Sequence, residues 1–261
     1  MDLGLSDKRV LVLGASKGLG QAIALAMVAE GATVMAAARS VERIEAWRAA
    51  LPPDAAARVS VHEVDLAEMA SVDRLVDAVL AAGGADVLIN NGGGPAPGGV
   101  VGTPTDAWNK GFASMAASLF HLTDRLITPM IEKRWGRIVT IGSSGIEQPI
   151  PNLAISNAIR ASVAGWSKSL ANEVAEHGIT VNMVLPGRVA TERVDSLDQN
   201  RASKTNQSID AVRQQSRAEI PAKRYGTPEE FAAVVTFLAG TPASYVTGSM
   251  IRVDGGAIRS I

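Results

Sequence analysis

The stretch from Val10 to Gly20 leaves few folds open to this chain. Val10-Leu11-Val12-Leu13 reads as the end of a strand and runs into Gly14-Ala15-Ser16-Lys17-Gly18-Leu19-Gly20. Gln21 to Ala29 then reads as a helix, with Leu19, Ile23, Ala26 and Met27 at near-helical spacing and Gly31 at its C-terminal end. A strand, a glycine turn and a helix N-terminus make a phosphate cradle. Backbone N–H groups at a helix start are unpaired, and the helix dipole favours an anion there. Glycine lets the chain turn tightly and lets a pyrophosphate come close to the backbone.

The rest of the chain repeats the alternation. Apolar runs predict strands over Ala32–Ala38, Val59–Val64, Asp86–Ile89, Arg137–Ile141, Ile179–Leu185 and Met250–Val253. Between them, helices are predicted over Val41–Leu51, over a segment capped by Ser71 with Val72, Leu75, Val76, Val79 and Leu80 on one face, over Thr105–Lys133 and over Asn152–Glu176. The last helix starts at Thr227 as N-cap, with Pro228 next and Glu230 completing a capping box. Glu192 to Lys223 is polar and weakly periodic, and reads as a lid that is mobile when empty. Strands separated by helices imply a parallel sheet covered on both faces, so the expected fold is α/β: one doubly wound, Rossmann-type domain over residues 1–261 with a seven-stranded sheet.

Composition narrows the function classes. With 47% hydrophobic and 20% charged residues, a sizeable core is available and wholesale disorder is excluded. A net charge of −1 gives no footprint for nucleic acid or an anionic membrane, and no apolar run reaches the roughly 18 residues of a span. The absence of cysteine rules out disulfides, thiolate metal ligands and a thiol nucleophile, and no His/Asp/Glu cluster has metal-ligand spacing. Met1 to Arg9 lacks the apolar core of a signal peptide, so a cytoplasmic location is expected.

Ligands of doubly wound sheets bind at the C-terminal ends of the strands. The second strand ends in Ala38-Arg39, where an acidic residue would accept hydrogen bonds from the adenosine ribose of NAD. Arg39 can instead hold a 2′-phosphate, and Lys17 can reach the same group, so NADP(H) is preferred and NAD(H) stays possible. Asp65 can accept from the adenine amino group or cap the following turn, and Asn90-Asn91-Gly92-Gly93 offers backbone close to a cofactor and an amide to bridge strands.

Taken together, these residues resemble the short-chain dehydrogenase/reductase family over nearly the whole chain. The G-x-x-x-G-x-G turn matches at Gly14, Gly18 and Gly20, and Asp65, followed by Leu66, matches the family's adenine-binding aspartate. Asn90 and Gly92 fall in a relative of its N-N-A-G signature. Pro186-Gly187 with Thr191 is similar to its P-G-x-x-x-T turn, which implies Val189 and Thr191 at the nicotinamide amide and diphosphate. Thr247-Gly248 and Val253-Asp254-Gly255-Gly256 resemble its last strand.

The catalytic positions depart from the pattern of Asn, Ser and Tyr-x-x-x-Lys. Ser143 matches the serine, but Ser156 stands thirteen residues on where tyrosine is expected, Arg160 four further where lysine is expected, and Met115 where the asparagine is expected. A serine hydroxyl is a far weaker acid than a phenol (pKa about 10), and arginine does not readily pass a proton, though Arg160 can hold ribose hydroxyls or stabilise an alkoxide. Among other proton carriers, His62, His121 and His177 read as structural or exposed, and Glu147 as a solvated loop carboxylate.

Three readings follow. The resemblance implies an NADP(H)-dependent oxidoreductase acting on a small carbonyl or alcohol, in the manner of a 3-oxoacyl reductase, with Ser143, Ser156 and Arg160 at an altered site. The joint loss of Tyr and Lys supports a second reading, a nucleotide-binding regulatory or structural homologue with little chemistry. The third is non-redox chemistry, as in halohydrin dehalogenases, but those keep the tyrosine and lose the glycine turn, and this chain does the reverse. Mixed charges on the lid leave the substrate open: Arg193, Arg201, Lys204, Arg213 and Arg217 stand among Asp195, Asp198, Asp210 and Glu219. The family pattern implies a homodimer or homotetramer, and Ala158, Ala161, Ala164 and Gly165 suit close helix packing.

Overall fold

Seven parallel strands form one sheet in the computed structural model, which describes residues 1–260. They are β1 (Arg9–Leu13), β2 (Thr33–Ala38), β3 (Val59–Glu63), β4 (Val87–Asn90), β5 (Gly136–Ile141), β6 (Ile179–Pro186) and β7 (Met250–Val253), in the order β3-β2-β1-β4-β5-β6-β7. The helices are α1 (Gly18–Ala29), α2 (Val41–Ala49), α3 (Pro53–Ala56), α4 (Met69–Ala81), α5 (Thr105–Phe112), α6 (Ser118–Lys133), α7 (Ala154–Val174), α8 (Glu192–Thr205), α9 (Ile209–Glu219) and α10 (Pro228–Ala239).

The unbroken apolar run of β1 follows from burial on both faces. Val10 and Val12 pack with Ile23 and Met27 of α1 and Phe231 and Val235 of α10. Leu11 and Leu13, pointing the other way, pack with Val72, Val76 and Val79 of α4 and with Leu122 and Leu126 of α6. The strand order reverses direction between β1 and β4, and that switch opens a crevice beyond their C-terminal ends.

The doubly wound fold and all seven strands are as expected, and the differences lie in the helices. Ser71 does not cap α4, which starts at Met69; its hydroxyl accepts from the Asp65 N–H at 3.1 Å and ties the end of β3 to the helix. The helix expected from Asn152 starts at Ala154, because Asn152 is left-handed at φ 60°. The segment 105–133 is helical throughout but widens into one π turn, Ala113–Ala117. The expected polar lid contains two capped helices: Thr191 Oγ1 accepts from Val194 N–H and Ser208 Oγ from Ala211 N–H. The Thr227 capping box is present as read.

Asp86, just before β4, joins three elements. Its carboxylate accepts from the Arg9 N–H at 2.9 Å and from Lys133 Nζ at 2.8 Å. Burial pushes its pKa up, but hydrogen bonds from Lys133 and the Arg9 backbone outweigh this and hold it below its ordinary value of 3.8. The charged form is therefore favoured by folding, and its contribution is present above pH 4 and lost as pH falls through the folded value. Asp86→Ala is expected to cost about 2–3 kcal/mol near neutrality, a melting-point loss of about 5–10 °C, and the gap to wild type should narrow in acid. Thermal denaturation followed at pH 7 and pH 3 checks both parts.

Candidate cofactor cleft and active site

The glycine turn is built by local constraint. Gly14 and Gly18 lie at φ +64° and +57°, and a Cβ on Gly20 would stand 2.1 Å from the Gly14 carbonyl oxygen. The buried Trp47 indole donates to the Ala15 carbonyl at 3.1 Å, and Ala15 N–H donates to Ala37 O, so α2 and β2 hold the turn in place. No side chain caps α1, and the N–H groups of Gly18, Leu19 and Gly20 have no acceptor among the described residues. Ser16 and Lys17 lie in the same turn, Lys17 immediately before α1.

The amide that bridges strands is that of Asn91. Asn91 Nδ2 donates to Leu13 O at 3.1 Å, bracing the β1 end against β4. Asn90 is only 1% exposed and its Nδ2 donates to Thr123 Oγ1, so its side chain is turned away from the cleft and only its backbone can serve a ligand. Gly92 follows it, with the Leu66 side chain 3.5 Å from where its Cβ would stand.

Arg39 is exposed just past the C-terminal end of β2 and makes no ion pair among the described residues. Lys17 is engaged: Glu192, the first residue of α8, takes Lys17 Nζ at 2.6 Å and Arg43 Nη1 at 3.1 Å. Arg43 is a cation the sequence reading missed. Its signal was available, since the first turn of the helix after β2 lies at the same end of the sheet as Arg39. Asp65 does cap its turn, accepting from Ala67 N–H at 2.9 Å, and stays partly exposed at the end of β3.

At the other end of the crevice, Gly187 N–H donates to Val253 O, and a Cβ on Gly187 would meet Asp254 Cα at 2.6 Å, so Pro186-Gly187 is pressed against the β7 exit. Val189 bridges to Gly226, and Thr191 lies against the glycine turn, its Cγ2 3.6 Å from the Cβ position of Gly18. The base of the lid is fixed by Asp198, fully buried, which takes Arg188 Nη1 at 2.5 Å and the Tyr225 hydroxyl at 2.8 Å.

Of the positions expected to be catalytic, Ser156 and Arg160 share one face of α7, four residues apart. Arg160 Nη1 donates to the Ile141 carbonyl at 2.8 Å, which places it at the C-terminal end of β5, two residues before Ser143. Ser143 Oγ accepts from Gly145 N–H at 3.0 Å and caps the short turn 144–146, which packs on α7. Arg160 also lines a small cavity with Gly92, Gly93, Met115, Thr140, Ile141 and Gly142. Burial, and then the charge of Arg193, lower the Arg160 pKa from 12.5 to about 10. No phenol takes part: Tyr225 donates to Asp198 and Tyr245 is fully exposed. Glu147, expected to be a solvated loop carboxylate, is instead largely buried and ion-paired with Arg252, and His121 is hydrogen-bonded to Asp73 at 2.7 Å. Among the described residues no acidic or histidine group is placed to hold a metal, and no helix is long and apolar enough to cross a membrane.

The comparisons agree with this geometry. A family model described as enoyl-(acyl carrier protein) reductase matches residues 14–257. The chain belongs to the short-chain dehydrogenase/reductase family. It is 35% identical over 257 residues to the 3-oxoacyl-[acyl-carrier-protein] reductase FabG of Salmonella typhimurium, covering 97% of this chain and 98% of that one. Nodulation protein G of Rhizobium sp. is likewise 35% identical over 255 residues, with 97% of each chain covered. Among solved structures, L-sorbose reductase from Gluconobacter frateurii, complexed with NADPH and L-sorbose, superposes over 100% of both chains with TM-score 0.94 at 30% identity.

Proposed function

We propose that the protein is an NADP(H)-dependent reductase of small carbonyl compounds that works without a phenol. The observation that carries this reading is the cradle at the β1–α1 turn, with open N–H groups, cations Lys17, Arg39 and Arg43 around it, and no acidic residue at the end of β2. A dinucleotide's diphosphate fits the α1 N-terminus, its 2′-phosphate Arg39, the one of the three cations that Glu192 does not pair, and its nicotinamide end the region of Val189, Thr191 and Arg160. When bound there, the nicotinamide supplies the hydride. The resemblance to FabG and to a sorbose reductase that binds NADPH supports the same assignment.

The residues of the chain supply the rest. Arg160 uses one nitrogen on Ile141 O and leaves its other donors for the substrate oxygen, where a fixed charge stabilises the developing alkoxide. Ser143 accepts from Gly145, so its own O–H proton is available to the same oxygen. The proton that completes the alcohol comes from water through Ser143 and Ser156. Loss of a dedicated acid slows such a reaction by about 10²–10⁴-fold without forbidding it.

Calorimetric titration with NADPH and NADH tests the cofactor assignment. Wild type is expected to bind NADPH at micromolar levels, and Arg39→Ala to weaken NADPH about 10–100-fold while leaving NADH unchanged. If neither nucleotide binds, the oxidoreductase reading falls. The second reading, a nucleotide-binding homologue with little chemistry, is favoured by the place of the two tyrosines, Tyr225 held by Asp198 and Tyr245 fully exposed. It predicts NADPH binding with no hydride transfer to any carbonyl compound.

A further inference from the structure

We propose that Arg160 and Arg193 form an anion site beside the loop that follows β4, and that the carbonyl substrate carries a carboxylate. The claim that this anion belongs to the substrate rests on the reductase reading above; the site itself does not. Arg193 comes from the first turn of α8 and reaches across the crevice, donating from Nη2 to Pro95 O at 3.1 Å, with the Cβ position of Gly94 3.3 Å away. Arg160 comes from α7 on the other side and is held at the end of β5 by Ile141 O.

Both guanidiniums are anchored by backbone carbonyls, and neither has a carboxylate partner among the described residues. Arg39 and Arg217 are likewise without one, but most of the other arginines nearby are paired. Arg43, Arg188, Arg201, Arg213 and Arg252 each meet an aspartate or glutamate. The mixed charge of the lid is thus partly resolved in the fold: Arg201 and Arg213 are paired with Glu219 and Asp195, while Arg193, like Lys204 and Arg217, has no carboxylate partner among the described residues and is set against Pro95 at the loop after β4. The cavity that Arg160 lines is walled by glycine, apolar side chains and Thr140, with no acidic group.

The loop after β4 brings the two together: Arg160 lines the cavity with Gly92 and Gly93, and Arg193 Nη2 stands 3.3 Å from the Cβ position of the next residue, Gly94. Like charges at one loop repel, and no carboxylate among the described residues offsets the repulsion. An anion between them removes that repulsion and accepts charge-assisted hydrogen bonds from the nitrogens that the backbone anchors leave free. A carboxylate matches the planar guanidinium fork. Its attachment to the carbonyl compound would hold the reacting oxygen near Arg160, so that one residue orients the acid and polarises the carbonyl.

The test is calorimetric titration of acetoacetate and methyl acetoacetate, which share a ketone and differ in the carboxylate, with and without saturating NADPH. Wild type is expected to prefer the acid by about tenfold or more, and Arg193→Ala to reduce that preference to within about twofold. In the same variant the Kd for NADPH should change by less than about threefold. Equal affinity for the two probes in wild type, no heat with either, or a preference that survives Arg193→Ala overturns the proposal. So does a variant that loses NADPH more than it loses acetoacetate, because Arg193 then serves the cofactor phosphates. If NADPH does not bind at all, the reductase reading falls, while the titrations without nucleotide still decide the anion site.

Discussion

Turnover of Arg160→Met falls about 10²–10³-fold below wild type, the usual loss when one preorganised donor to an oxyanion is removed. The phosphate end of the cleft is untouched, so NADPH affinity changes by less than about tenfold. The split is what identifies the role. A residue that only held the nicotinamide ribose would lose affinity and rate together, whereas a group aimed at the substrate oxygen loses rate. Arg160→Lys, which restores the family's residue type, keeps a charge but not the fork that spans Ile141 O and the cleft, and is expected to fall between the two. Stopped-flow oxidation of NADPH with a saturating oxo acid, beside a fluorescence titration of NADPH, checks both quantities. A variant with wild-type turnover would remove Arg160 from the chemistry.

The second large effect is expected at the cradle. Gly20→Ala places a methyl group 2.1 Å from the Gly14 carbonyl and 2.7 Å from Asn91 Nδ2, and the nearest of these is backbone with no room to swing aside. Separating α1 from β1 by enough to admit it costs about 1–3 kcal/mol. It also breaks the brace that Asn91 makes to Leu13 and moves the open N–H groups at the start of α1. NADPH affinity is expected to drop at least about 100-fold in a protein that still folds, with the melting point lower by about 3–10 °C. Circular dichroism melting and calorimetry report the two effects separately. Wild-type affinity in Gly20→Ala would mean that the turn is not the phosphate seat.

Most of the fold could be read in the chain because strands buried on both faces leave continuous apolar runs, as in Val10–Leu13, and glycines forced by sterics cannot drift. Gly14, Gly18, Gly20 and Gly187 were legible for that reason. What was not legible depends on long-range pairing. The hydroxyl of Ser71 satisfies a cap preference and a strand-end N–H equally well, and the tertiary contact with Asp65 decided it. Asn90 and Asn91 are chemically identical neighbours, and only the strand's alternation sends one to Thr123 and the other to Leu13. Helices α8 and α9 bury little, with Asp198 and Ala202 in one and Val212 and Ser216 in the other, so their periodicity is faint. Their caps Thr191 and Ser208 were the better signal. The split of the lid charges into neutralised pairs and the cleft-facing Arg193 follows from how α8 packs on α9, which no local pattern encodes.

The π turn at Ala113–Ala117 carries a consequence for how sites of this kind change over time. It adds one residue to a helix anchored at both ends, and the residues before it are turned by about 100° relative to an uninterrupted α-helix. That rotation is what sets Gly111 against Ile155 and Ile159 of α7, where a Cβ would come within 2.7 Å, and brings Met115 into the wall of the cavity. Deleting a single alanine from the turn would leave every side chain of the helix chemically intact and present a different face of it, Lys110 or Phe112, to α7. The pocket wall is thus sensitive to the count of residues as well as their kind. An insertion or deletion of one position can reshape the substrate side in a single step, while the nucleotide side, built on β1 and α1, stays as it was.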